Sequence, residues 1–128
     1  MRLSRLGFNV KSNPFGILYN PVSIEQTLWR IHLDKKYEAQ DFISSNRFFS
    51  LEHHGSFEYD SLNAAIGQSN LILTKTRDQL KQTDVCIFTL GTSLVYQYDG
   101  KTVANCHRLP TQDFKHVQLT YQQTFDSL

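Results

Sequence analysis

The side chains of this chain that could do chemistry fall in a few short stretches. Asn105-Cys106-His107 sets an amide, a thiol and an imidazole side by side, and His53-His54 sets two imidazoles together. Neighbours in extended chain point to opposite faces, so neither stretch makes a nucleophile–base pair by itself. His32 falls on a polar helix face and His116 in what reads as a polar loop. Cys86 and Cys106 are 20 positions apart, and no ligand pair has zinc-site spacing, so no metal is expected. Ser93 lies in Gly91-Thr-Ser93-Leu-Val95 and lacks the second glycine of a Gly-x-Ser-x-Gly nucleophile elbow. Two glycine loops are more suggestive. Asn13-Pro-Phe-Gly16 follows one short apolar run, and Gly91-Thr92 follows another. A glycine lets the backbone approach a ligand closely, and its amide can donate to a developing oxyanion. No phosphate loop or dinucleotide fingerprint occurs, so no cofactor is expected.

The elements that would position these residues can be read from periodicity and punctuation. Residues 1–6 look like a helix tail closed by Gly7, and Phe8-Asn9-Val10 like a short strand. Ser23 to Leu33 reads as a helix, with Ser23 and Gln26 at capping-box spacing, Pro21 upstream, and Ile24, Leu28 and Ile31 on one face. Tyr37 to Ile43 could be a further helical turn, and Phe48 to Phe57 extended or irregular. Asp60 to Thr83 reads as a long helix capped by Asp60 or Ser61, with Leu62, Ala65, Ile66, Leu73 and Leu80 on its apolar stripe. Gly67 in its middle predicts a close packing contact or a kink. Val85-Cys86-Ile87-Phe88-Thr89-Leu90 reads as a strand buried on both faces, as in a parallel sheet, which would place Gly91-Thr92 at its carboxyl end. Asp99-Gly100 between Leu94–Tyr98 and Lys101–Cys106 is a hairpin signal, and Thr120 could cap a final helix.

Composition narrows the function classes. Of 128 residues, 13 are Lys or Arg and 12 Asp or Glu, a formal net charge of +1, so no nucleic-acid partner is expected. A 40% hydrophobic, 12% aromatic chain is globular, of a length that suits one domain or part of one. No apolar run approaches the roughly 20 residues a membrane helix needs, and the N-terminus carries no signal-peptide pattern. The expectation is a cytoplasmic protein with reduced thiols and no membrane partner.

Three segments together carry a resemblance: Asn13-Pro-Phe-Gly-Ile-Leu-Tyr-Asn-Pro-Val-Ser23, Phe88-Thr-Leu-Gly-Thr-Ser-Leu-Val-Tyr96, and Val103-Ala-Asn-Cys-His-Arg-Leu-Pro110 followed by Phe114. In order and spacing they resemble the GSCFA family, a bacterial branch of the SGNH-hydrolase-like, GDSL-type proteins. His53-His54 ahead of Phe57 is similar to that family's middle segment. The resemblance spans essentially the whole chain. It implies a three-layer α/β/α, flavodoxin-like domain with a parallel sheet, here incomplete, and a β-hairpin insertion near 94–106. It also implies hydrolysis of an ester or acyl bond, on a small-molecule or glycan ester, by a serine, a histidine base and an oxyanion hole. The Gly-Ser-Cys-Phe-Ala block that would hold the nucleophile is not in this sequence, nor is a C-terminal Asp and His block. Residues 1–128 are thus expected to be a partial domain, truncated at both ends and inactive alone, with no catalytic residue of its own. The resemblance leaves Asn13, Gly16, Gly91, Thr92, Asn105 and His107 as oxyanion or cleft-lining candidates. Where related enzymes place an asparagine near the third-block glycine, this chain has Thr92 and Ser93. The alternative is a non-catalytic binding or carbohydrate-associated module on the same fold.

Overall fold

The computed structural model describes residues 2–106 and 109–127. The chain is mixed α/β. It begins with one helical turn, α1 (Arg2–Arg5), and then α2 (Pro21–His32). A 3-10 turn at Ala39–Asp41 leads to a small antiparallel pair, β1 (Ile43–Ser44) and β2 (Phe48–Phe49). The long helix α3 (Leu62–Leu80) follows. A three-stranded antiparallel sheet is made of β3 (Leu94–Tyr98), β4 (Lys101–Val103) and β5 (Phe114–Gln118), in the order β4-β3-β5. The last element is α4 (Tyr121–Asp126).

Local chemistry accounts for the helix starts. The side chain of Asn20, buried and in extended backbone, accepts from the Ser23 amide at 2.8 Å. Helix α2 therefore starts two residues before the expected Ser23, with Pro21 in the first turn, where its missing N–H costs nothing. Ser61 caps α3 by accepting from the Ala64 amide at 3.2 Å, and Thr120 and Gln123 form a reciprocal capping box on α4. Gly67 lies inside the continuous α3 and meets no neighbour: a Cβ there would find nothing within 4 Å. The expected contact is absent because that face of the helix is exposed, so Gly67 acts only through its low helix propensity.

Two apolar clusters form, and β2 joins them. Phe15, Ile31, Tyr37, Phe42, Ala65 and Leu73 bury one between α2 and α3. Phe49, Leu51, Val103 and Phe114 bury the other under the sheet. Phe48 packs against the first and Phe49 lies in the second, as the opposite faces of a strand require. The hairpin at Asp99-Gly100 forms as expected, with φ of 48° and 73°, the left-handed pair of a two-residue turn.

The central parallel strand expected at Val85–Leu90 is not formed. Those residues lie outside every helix and strand, with Val85 and Ile87 72% and 73% exposed. Every strand pairing among the described residues is antiparallel. β-branched and apolar residues fit a pleated, buried surface, but a strand exists only where a neighbour completes its ladder, and none of the described segments does. Phe8-Asn9-Val10 is likewise outside any strand. The actual third strand of the sheet, β5, carries the mixed sequence Phe-Lys-His-Val-Gln and gave no strong signal.

Candidate functional site

The Asn13–Gly16 loop is a tight turn closed by the Gly16 amide donating to the Asn13 carbonyl at 2.8 Å. Asn13 (φ 47°) and Gly16 (φ 82°) both take left-handed backbone, which Asn tolerates and Gly allows freely. The turn drives Phe15 into the core. Its ring stacks on His53 at 4.9 Å between centroids and 15° between planes. Tyr37 meets the same imidazole edge-on at 4.9 Å, and Phe57 flanks it at 5.7 Å. His53 is fully buried, so this box is a structural anchor rather than an open base.

The residue after it faces the other way. The His54 amide donates to the Phe15 carbonyl at 2.9 Å, which fastens the 53–57 segment to the turn. The approach is so close that a Cβ on Gly16 would sit 2.2 Å from the His54 Cβ. The half-buried His54 ring lies with Nδ1 2.9 Å from the Ser56 hydroxyl and 3.2 Å from the Ser56 amide. Asn105, two residues beyond β4, reaches the same segment. Its side-chain amide donates to the His53 carbonyl at 3.1 Å, and a Cβ on Gly55 would meet that side chain at 3.4 Å. The neighbouring Ala104 amide donates to Leu51 at 2.8 Å. Three segments remote in sequence therefore converge: 13–16, 53–56 and 104–105.

An ion cluster behind the site holds the 50s segment in place. The Arg30 guanidinium grips Glu52 with Nε and Nη2 at 2.8 and 2.9 Å, and reaches Asp41 at 3.3 Å. It also donates to the carbonyls of Lys35 and Lys36, and lies 4.1 Å from the centre of the Tyr37 ring. Burial works against the charged guanidinium, but the Glu52 charge and hydrogen bond, with Tyr37 and Asp41, outweigh it and raise the Arg30 pKa. Burial, then the charge of Glu52, pushes the Tyr37 phenol upward, so Tyr37 stays neutral and serves as a wall of the His53 box. Burial also raises the Cys106 thiol, which disfavours the thiolate a nucleophile needs.

Gly91 and Thr92 sit at a different point. Both amides donate to the Tyr19 carbonyl, at 2.9 and 3.1 Å, and the nearest atoms to a Cβ on Gly91 would be those of Tyr19, at 3.4 Å. Ser93 is taken up by the sheet, with its hydroxyl accepting from Gln118 and its carbonyl from the Leu119 amide. Of the candidates read from sequence, Asn13, Gly16 and Asn105 share the cluster, and Gly91 and Thr92 touch the chain three residues beyond Gly16. His107 lies outside the described residues. His54 and Ser56 were missed as a pair, although the His-x-Ser spacing around Gly55 was available as a signal. Two shallow grooves run along α2, lined by Trp29, His32 and Asp126 and by Leu28, Arg77 and Leu80. Neither is lined by a residue of the cluster. Among the described residues no group of three His, Cys, Asp or Glu side chains could hold a metal ion. None of their helices is long and apolar enough to cross a membrane.

The chain is thus a mixed α/β protein with a glycine turn, a histidine and an asparagine gathered at one place. The model of the GSCFA family matches residues 1–128, and the chain belongs to that family. No curated protein and no solved structure matches it.

Proposed function

We propose that this chain is the cleft-bearing part of a GSCFA-type, SGNH-hydrolase-like protein that cleaves an ester or acyl bond in a small-molecule or glycan ester. In this reading its segments contribute to a three-layer fold with a parallel sheet, in which Val85–Leu90 gains strand neighbours. The observation that carries the reading is the convergence of the Asn13–Gly16 turn, His54 and Asn105 from three distant segments. An amide side chain and an imidazole beside a glycine turn are the donor types that acyl transfer uses to stabilise its oxyanion. The nucleophile belongs to the Gly-Ser-Cys-Phe-Ala block, so the 128 residues alone are inactive.

A second reading, a non-catalytic glycan-binding module, draws support from the amides of Gly16 and Gly91, which are engaged by Asn13 and Tyr19. A panel of p-nitrophenyl and acetylated-sugar esters separates the two. It should be run on the 128-residue chain and on a version extended by both the Gly-Ser-Cys-Phe-Ala block and the C-terminal Asp and His block, since the nucleophile needs its base. The hydrolase reading expects turnover only in the extended protein. Sugar-ester binding without turnover in either would favour the module, and turnover by the 128 residues would contradict their inactivity.

A further inference from the structure

We infer that His54 is a donor of fixed tautomer, presenting Nε2–H to an acyl oxygen beside Gly16, with Ser56 as the residue that positions it. For its ligand the inference rests on the hydrolase reading. For its geometry it rests on the ring itself. A backbone N–H can only donate, so the Ser56 amide 3.2 Å from Nδ1 requires a lone pair on that nitrogen. With that nitrogen unprotonated, the Ser56 hydroxyl 2.9 Å away has only the donor role open to it and shares the one lone pair with the amide. Neutral His54 therefore carries its proton on Nε2. Among the described residues Nε2 has no hydrogen-bond partner, and the ring is only half buried, so this N–H is open to a ligand.

The ring is also held in place. The His54 amide is tied to Phe15, the Phe57 amide donates to the His54 carbonyl at 3.0 Å, and Gly16 leaves no slack at its Cβ. Such a group, aimed beforehand and unable to switch tautomer cheaply, suits an oxygen that gains negative charge during acyl transfer. The imidazole donates a hydrogen bond and keeps its Nε2 proton, so no proton is transferred and no bond to it forms.

The test is imidazole nitrogen NMR on the 128-residue chain at pH about 8.5, where an ordinary histidine is neutral, with sodium acetate as the acyl-oxygen probe. The expected result is a single Nε2–H tautomer for His54 and a saturable acetate shift at its Nε2. Ser56→Ala keeps the backbone donor but should raise the minor tautomer about two- to tenfold, the equilibrium effect of one hydrogen bond, and Ser56→Thr should restore the pattern. A mixed or Nδ1–H tautomer in the parent chain would overturn the inference. So would a fixed tautomer with no acetate response, or labelling of Ser56 by a fluorophosphonate, which would make it a nucleophile. None of these readouts needs turnover, so the inference and the hydrolase reading can fail separately.

Discussion

Replacing Arg30 with Met is expected to remove about 3 kcal/mol of folding stability, read as a lower urea midpoint with an unchanged denaturant slope. Arg30 is only 6% exposed, and its partners Asp41 and Glu52 are 16% and 38% exposed. Breaking a buried ion pair from one side typically costs about 3–5 kcal/mol, because the remaining charge stays buried without its partner. The lower end applies because Glu52 reaches water and can be partly resolvated. Arg30→Lys should recover only part of the loss. An ammonium cannot span two carboxylates, two carbonyls and the Tyr37 face as the planar guanidinium does. Glu52→Gln should cost less than Arg30→Met, since it removes the more exposed member and leaves Asp41 on the guanidinium. If Arg30→Met stayed within about 0.5 kcal/mol of the parent, the range of an ordinary surface change, the cluster would not be what holds the 50s segment.

Gly16→Ala is expected to be the more damaging of two glycine substitutions by a wide margin. At φ 82° any side chain meets the backbone penalty of the left-handed region, about 1–2 kcal/mol. The new methyl would also lie 2.2 Å from the His54 Cβ, so turn and histidine must part, at an overpacking cost of about 1–3 kcal/mol. Gly91→Ala has neither problem. Its φ is not positive, and its nearest new contact is at 3.4 Å. Thermal melts should show a large drop for the first variant and less than about 0.5 kcal/mol for the second. Equal effects would mean that the fit of Gly16 against His54 is not what the turn requires. Gly91→Ala is thus the variant in which activity can be read without a folding defect, whereas loss of activity in Gly16→Ala must be corrected for stability.

The sequence announced some of these features plainly and hid others. The α3 stripe, the Asp99-Gly100 turn and the Thr120 cap were legible because each depends on neighbours within a few residues. Asn20 is not distinguishable as the cap by sequence, because Ser23 offers an equally good local pattern and only burial of the Asn20 side chain decides between them. Val85–Leu90 misled because its composition reports a preference for burial in a sheet but not the presence of a partner strand. Gly16 and Asn105 were found through resemblance, and the sequence could not show that they meet through the backbone of His53 and His54. Adjacency in sequence argued against both the His53-His54 and Cys106-His107 pairs. For the first, the same argument proved informative: opposite faces put His53 in the aromatic box and left His54 half open.

If the hydrolase reading holds, acyl chemistry belongs to the turn, His54 and Asn105, and not to the grooves along α2. The most direct measurement is kcat/KM on p-nitrophenyl acetate for the protein extended by both the Gly-Ser-Cys-Phe-Ala block and the C-terminal Asp and His block, comparing Asn105→Ala with Trp29→Ala, both with folding verified. Asn105 donates to the His53 carbonyl and so acts by holding the His54 segment in place, and losing one oxyanion donor through its displacement lowers the rate roughly a hundred- to thousand-fold. A loss of that order is expected for Asn105→Ala, and unchanged turnover for Trp29→Ala. Normal turnover in Asn105→Ala with a collapse in Trp29→Ala, or no hydrolysis by the extended protein at all, would contradict that reading.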